Sequence, residues 1–259
     1  MKLILITFGG SNGDDNGNYV NAVDRLKEQA KQFEMFDEIH GFTREDLMND
    51  TEFWSKHGEF ISRNKRGYGY WIWKSYLAEK VFRKTELGDI IVYLDSGCEL
   101  NIHGKEKLKD YINLTVIHDS LFMKLSYTNW PVKSGPILEK AYTKMDLLNH
   151  TGSNPNIQQV AATVFFLKRT ESNLEYLNDL RKLCVSNNYH FVDNSPSVIP
   201  NDISFREHRH DQSCTSVMVA KYNLFSIQDE TYYGGSWNKS DYISFPILAF
   251  RNKTGKTRL

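Results

Sequence analysis

Three short stretches hold residue types that could work together on a charged ligand. The first, Ile90-Ile91-Val92-Tyr93-Leu94-Asp95-Ser96-Gly97-Cys98, is an apolar run of strand length that ends in a carboxylate, a serine and a glycine. Such a run places Asp95 at the carboxyl edge of a parallel sheet, where open α/β sheets bind their ligands. A carboxylate there can hold Mg2+ or Mn2+ against two phosphates, because hard cations take oxygen ligands. Gly97 lets a phosphate or sugar come close to the backbone. The plain alternative is that Asp95 caps the following turn.

The second stretch is Arg63-Asn64-Lys65-Arg66-Gly67-Tyr68-Gly69-Tyr70-Trp71-Ile72-Trp73-Lys74. Cations and glycines precede an aromatic-rich helix, and helix N-terminal amides with Arg and Lys nearby suit a diphosphate. Arg66 and Lys74 are expected within reach of one diphosphate, with solvated surface charges as the alternative. Tyr68, Tyr70 or Trp71 is expected to stack on a base or sugar, whereas Trp73 lies on the apolar stripe and belongs to the core. Gly67-Tyr68-Gly69 is no dinucleotide fingerprint, since no strand leads into it and the third glycine is missing.

The third stretch, Glu207-His208-Arg209-His210-Asp211-Gln212-Ser213, collects two histidines and two carboxylates at the start of a helix. Zinc would need further ligands at recognisable spacing, and none follows. Asp211 is either an N-cap or, with Gln212, faces a bound sugar. Asp95 and Asp211 are expected to line one pocket. No nucleophile elbow or other hydrolase motif appears and the lone cysteines have no convincing His partner, which argues against hydrolysis by nucleophilic catalysis.

Elements must bring these stretches together. Lys2–Phe8 predicts a buried first strand and Gly9–Asn18 a loop. Val20, Val23, Leu26, Ala30 and Phe33 predict a helix over Tyr19–Phe33, followed by a strand over Asp37–Phe42. Tyr70, Trp73, Leu77 and Val81 mark another helix, and Ile90–Leu94 another strand. Later come strands over Phe122–Leu125 and Ala161–Lys168, and a helical stripe through Leu174, Leu177, Leu180 and Cys184. A long loop over Val192–Phe205 and a helix starting near Asp211 complete the pattern. The alternation predicts a mostly parallel sheet covered by helices on both faces.

The whole chain bounds what these elements can serve. Its 259 residues fit one large α/β domain. The 32 basic and 32 acidic residues cancel, which argues against a nucleic-acid partner. Three widely spaced cysteines make neither a disulfide framework nor a Cys-rich zinc site. The opening apolar run is too short for a signal peptide, and none approaches the ~20 residues that span a bilayer. A cytoplasmic location is expected.

Taken together, Arg66–Lys74, Gly88–Cys98 and His208–Ser213 resemble a family of GT-A glycosyltransferase-like proteins of bacterial polysaccharide loci and large DNA viruses. Lys144-Met145-Asp146 and Gln158-Gln159-Val160-Ala161-Ala162 resemble its acceptor-side region. The resemblance implies a single GT-A domain over residues 1–259, with a donor-binding half over about 1–125 and an acceptor half over about 126–259. It implies a hexosyltransferase of polysaccharide biosynthesis in a bacterial or virus-infected host cytosol. The donor would be a UDP- or GDP-linked sugar and the acceptor a glycan or other hydroxyl, with a divalent metal, Mn2+ or Mg2+, at Asp95. The nucleotide would lie near Thr7, Phe8 and Gly9, and the pyrophosphate near Arg66, Tyr70, Lys74, Ser96 and Gly97. Asp211 and Gln212 would be catalytic; Gln158, His208 and His210 would stand on the acceptor side. Two departures stand out: the usual Asp-any-Asp motif reads Asp95-Ser96-Gly97, and Phe250 stands where a C-terminal histidine ligand is usual. Other readings remain open: a nucleotidyltransferase acting on sugar phosphates, disfavoured by the cation-free Gly9–Asn18 loop, and a non-catalytic carbohydrate-binding module.

Overall fold

The seven residues Leu3–Gly9 form strand β1, and all of them are buried. That is the signature of a central strand covered on both faces. The computed structural model describes residues 1–10, 18–125, 138–231 and 243–258. The expected Gly9–Asn18 loop thus lies mostly outside the described residues. After β1 come α1 (Asn18–Phe33), β2 (Glu38–Thr43), α2 (Arg44–Asn49), α3 (Thr51–Arg63), α4 (Gly67–Tyr70), α5 (Ile72–Phe82), β3 (Ile90–Leu94) and β4 (Glu99–Leu100). Then follow α6 (Lys105–His118), β5 (Ser120–Lys124), α7 (Glu139–Tyr142), α8 (Met145–Thr151), β6 (Val160–Lys168), α9 (Glu171–Val185), α10 (Asp211–Lys221), β7 (Ser226–Gln228) and β8 (Ile247–Leu248).

The six-stranded sheet runs β2-β1-β3-β6-β5-β7, and β4 pairs with β8 in a small second sheet. Strands β1–β2, β1–β3 and β5–β7 pair in parallel, while β6 is antiparallel to both neighbours. The sheet is thus mostly parallel, as the alternation predicts, with one reversed strand near its centre. Strand alternation divides the core between its faces. Ile4, Ile6 and Phe8 join residues of α3, α5, α9 and α10 on one side. Leu3 and Leu5 join α1 and α6 on the other.

Side-chain caps mark the starts of α3 and α9. Asp50 accepts from the Phe53 amide at 3.1 Å to begin α3, and Thr170 accepts from the Asn173 amide at 3.1 Å to begin α9. Among the described residues no helix is long and apolar enough to cross a membrane.

One segment departs from the expected helix. Gly67, Tyr68, Gly69, Tyr70 and Trp71 have φ of 58°, 51°, 83°, 53° and 61°, so the chain makes a left-handed turn before α5 begins at Ile72. L-residues adopt this conformation at a cost of about 1–2 kcal/mol each, glycine excepted. Its reward is placement: Tyr68 is 2% exposed with its ring 5.9 Å from Phe8, and Trp73 lies 3.9 Å from Phe8. The expected stacking of a base on Tyr68 or Tyr70 gives way to core packing, since both rings are buried.

A candidate site around Lys74

The carboxyl end of β3 delivers Asp95, whose amide donates to the Thr163 carbonyl of β6 at 2.9 Å. Two positions back on the same face, the Tyr93 hydroxyl donates to Asp95 Oδ1 at 2.8 Å. Lys74 enters from the first turn of α5, and its ammonium stands 3.2 Å from Asp95 Oδ1 and 2.7 Å from Asp211 Oδ2. It also donates to the Ala162 carbonyl at 3.0 Å and lies 5.2 Å from the centre of the Tyr93 ring. Asp95 and Asp211, far apart in sequence, therefore meet through one lysine at the carboxyl edge of β1 and β3.

Burial sets the electrostatics. Lys74 is 5% exposed and Asp211 8%. Desolvation would lower the Lys74 pKa, but the two carboxylates outweigh it and raise it, so the ammonium stays charged. Burial raises the Asp211 carboxyl against the pull of Lys74. An ammonium has three protons, and all three have acceptors here: Asp95, Asp211 and Ala162. Lys74, expected beside a donor phosphate, here forms a strut between two carboxylates. Arg66 stays exposed at the surface before the left-handed turn, and its charge helps to depress His210.

A divalent ion does not fit here as a protein-held centre. Among the described residues no group of three His, Cys, Asp or Glu side chains could hold one. The cation already beside Asp95 is Lys74, which would repel a second. The Mn2+ or Mg2+ expected at Asp95 finds no set of three such side chains among the described residues.

The loop after Asp95 is framed by the C-terminal tail. Arg25 of α1, 7% exposed, donates from Nη2 to the Ser96 and Cys98 carbonyls at 2.8 Å each. Its Nη1 donates to the Asn252 carbonyl at 3.1 Å and to that of Thr254. The Asn252 amide donates to the Gly97 carbonyl at 2.9 Å. A Cβ on Gly97 would stand 3.1 Å from Arg251 Cα. The close approach that requires glycine at 97 is therefore made by the tail backbone, where a phosphate or sugar was expected. Ser96 is buried.

The start of α10 is equally well pinned. The His208 Nδ1 accepts from the Lys144 amide at 3.3 Å and its Nε2 donates to the Phe191 carbonyl at 2.8 Å, which is the pattern of a neutral imidazole. Burial lowers its pKa well below the usual value. His210 donates from Nδ1 to the Val192 carbonyl at 2.6 Å, and burial pushes its pKa down to about 4. Its ring lies 4.9 Å from that of Tyr70. Both histidines, expected on the acceptor side, are buried anchors of the α10 start. The loop they bind is held in turn by Lys144, which donates to Asp193 and to the His190 carbonyl, and by Asp146, which accepts from His190, Val198 and Ile199.

Other expected residues stand apart. Thr7 and Phe8 are buried in β1, 0% and 3% exposed. A Cβ on Gly9 would strike the Tyr19 carbonyl of α1, so Gly9 serves strand–helix packing. Gln158 donates to the Leu125 carbonyl at 2.8 Å and does not join Asp211. Its neighbour Gln159 does reach α10, accepting from Gln212 Nε2 at 2.5 Å. Tyr93 was missed by sequence reasoning although its i−2 position to Asp95 in a strand puts both on one face. Nothing in the sequence distinguishes Gln159 from Gln158.

No family model matches the sequence, and no curated protein matches it. Solved structures that resemble the chain include a glycosyltransferase involved in the glycosylation of the major capsid of PBCV-1. The two share 13% identity over 96% of this chain and 92% of that one, with a TM-score of 0.48. Mouse xyloside xylosyltransferase 1 shares 11% identity over 96% and 97%, with a TM-score of 0.45. The galactosyltransferase LgtC shares 8% over 89% and 75%, with a TM-score of 0.46. All three neighbours are glycosyltransferases of the GT-A type.

Proposed function

We propose that this protein transfers a glycosyl group from a UDP- or GDP-linked sugar to a hydroxyl of a glycan acceptor. The observation that carries the reading is the Asp95–Lys74–Asp211 bridge at the carboxyl edge of the parallel strands. A charged strut in that position holds two carboxylates where an α/β sheet receives its ligand. Lys74 holds Asp211 in place through its ion pair, and Asp211 with Gln212 then accepts from hydroxyls of the donor sugar and fixes its orientation. The diphosphate's growing negative charge as the glycosidic bond breaks falls to exposed cations at the rim, Arg66 and Arg251. Arg251 belongs here because its backbone packs on Gly97, two residues from Asp95. No step is assigned to a metal.

Calorimetric titration with UDP-, GDP- and other nucleotide sugars, each beside its nucleoside diphosphate and its nucleoside, tests the reading. The diphosphate is expected to bind at least about tenfold more tightly than the nucleoside, since only it meets the rim arginines. Arg66→Ala is expected to erode that difference. Absence of nucleotide binding, or equal binding of nucleoside and diphosphate, would overturn the proposal. Release of pyrophosphate from a nucleoside triphosphate and a sugar phosphate would assign nucleotidyl transfer instead.

A further inference from the structure

Behind Gln212 runs a line of buried polar side chains that the transfer reading leaves unused. Glu139 in α7 is 0% exposed. Its Oε1 accepts from the Thr143 hydroxyl, in very close contact, and from Gln159 Nε2 at 3.4 Å. Gln159, also 0% exposed, donates from the same nitrogen to Thr143 Oγ1 at 3.3 Å. Its Oε1 accepts from Gln212 Nε2 at 2.5 Å. Of the four side chains, only Gln212 is accessible enough to meet a ligand.

The polarity of this line follows from counting protons. With the Glu139 proton on Oε2, Thr143 gives its one hydroxyl proton to Oε1 and towards Gln159 can only accept. Glu139 Oε1 receives two donors and is also an acceptor. Gln159 therefore faces two acceptors, which forces its NH2 inward and turns its carbonyl towards Gln212. Gln212 must answer with its own NH2. Its carbonyl oxygen is left over, and it has no protein partner among the described residues. Burial raises the Glu139 carboxyl to about 8. Near neutral pH it keeps its proton, and the polarity of the line holds with that proton on Oε2, the buried oxygen without a partner.

We infer that Glu139 is a positioning residue: through Thr143 and Gln159 it fixes the amide of Gln212 so that a carbonyl oxygen, an obligate acceptor, meets the ligand beside Asp211. An acceptor at that point selects a hydroxyl of the sugar over a phosphate oxygen. The inference rests on the transfer reading for the identity of the ligand, though not for the orientation of the amide. It also predicts which substitutions are tolerated. Glu139→Gln keeps an acceptor oxygen for Thr143 and preserves the polarity. Glu139→Met removes it, freeing the Thr143 proton to point at Gln159 and letting both amides turn.

Two measurements test it. Titration with UDP-glucose and GDP-mannose, each beside its nucleoside diphosphate, should show Glu139→Met and Gln212→Leu weakening the sugar nucleotide roughly five- to tenfold. The diphosphate should bind unchanged, the double variant should be no weaker than either single one, and Glu139→Gln should match the unaltered protein. Nuclear magnetic resonance then follows the Gln212 side-chain amide protons, identified by their loss in Gln212→Leu. They should exchange slowly with solvent in the unaltered protein and in Glu139→Gln, and quickly in Glu139→Met. Should Glu139→Met not fold, Gln159→Leu cuts the same line. Additive losses in the double variant, equal weakening of both ligands, or amide exchange indifferent to Glu139 would overturn the inference. If the unaltered protein binds no nucleotide, the transfer reading falls, and the amide exchange alone decides the role of Glu139.

Discussion

Lys74 is held by Asp95 on one side and Asp211 on the other, with a backbone carbonyl taking its third proton. Removing one member of such a buried set leaves an uncompensated charge, which typically costs about 3–5 kcal/mol. Lys74→Met is therefore expected to lower the unfolding free energy by that order, measured by urea titration. Adding Asp211→Leu should recover part of the loss, because it removes the stranded carboxylate. No recovery would mean that the lysine acts through its packing under Tyr93. Glu139 gives a second test, with the opposite chemistry. Its carboxyl is raised from an ordinary 4.5 to about 8 by burial. The folded protein thus holds a proton that the unfolded chain releases between those values. The stabilisation this gives is complete below pH 4.5 and is lost as the pH rises through 8, by an amount on the order of 5 kcal/mol. Unfolding free energies of the unaltered protein should fall relative to Glu139→Gln between pH 5 and 9. A constant difference across that range would refute the buried neutral carboxyl.

At the scale of elements, the left-handed turn over 67–71 is the least expected feature and the most constrained. Gly69 has φ 83°, and a Cβ there would stand 2.6 Å from Ile61 Cγ1 and 3.1 Å from its Cα. Gly88 has φ 92°, yet a Cβ there meets nothing within 4 Å. The pair separates two effects that usually come together. Gly88→Ala should cost only the left-handed strain, about 1–2 kcal/mol. Gly69→Ala should cost that plus overpacking of about 1–3 kcal/mol, a difference that thermal unfolding would resolve. Equal losses would show that Ile61 moves aside freely. The same turn marks where the sequence stops being legible. Strands β1, β3 and β6 and helices α1, α5, α9 and α10 are legible from apolar runs of strand length or from apolar residues at helical spacing. Helix α6 was not expected: only Leu108, Tyr111 and Thr115 of its fourteen residues are buried, and Val116 and Ile117 point to solvent. Helix α3 went unseen because its interior holds Gly58 and its last turn reads as a basic cluster. A run of positive φ through three aromatic residues leaves no periodic trace, so the turn read as the start of a helix.

At the scale of the molecule, the first and last parts of the chain close on the strand-end loop. Periodicity could place Asp95 at a sheet edge, but not the tail that covers Gly97 or the lysine that joins two distant aspartates. Those contacts depend on tertiary geometry that no local pattern carries. The tail's hold is extensive. Besides Arg25, it engages Glu99, which is 0% exposed and accepts from the Asn252 side chain at 2.6 Å, the Thr257 hydroxyl at 2.7 Å and the Arg258 amide at 2.9 Å. Those bonds outweigh the burial that would raise the Glu99 carboxyl, and hold it below the ordinary carboxylate value. Deleting residues 250–259 would strip partners from one buried guanidinium and one buried carboxylate together. Buried polar groups left unsatisfied cost about 1–3 kcal/mol each, and charged ones more. The truncated protein is therefore expected to lose at least about 3 kcal/mol of stability. Loss of stability alone would not tie the tail to the site, so the decisive measurement is hydrogen exchange across Asp95–Cys98. There the Asp95 amide is bonded to Thr163 and the Cys98 amide to the Asp95 carbonyl. Both should exchange faster in the truncated protein, whereas amides of β1, in the sheet centre, should change only by the global loss. The conservative variant Asn252→Ala should produce the same local loosening on a smaller scale, since it frees Glu99 from one donor while leaving the tail backbone in place. Protection of the loop that survives truncation would show that Arg25 alone sets the position of Asp95, and that the tail contributes only stability.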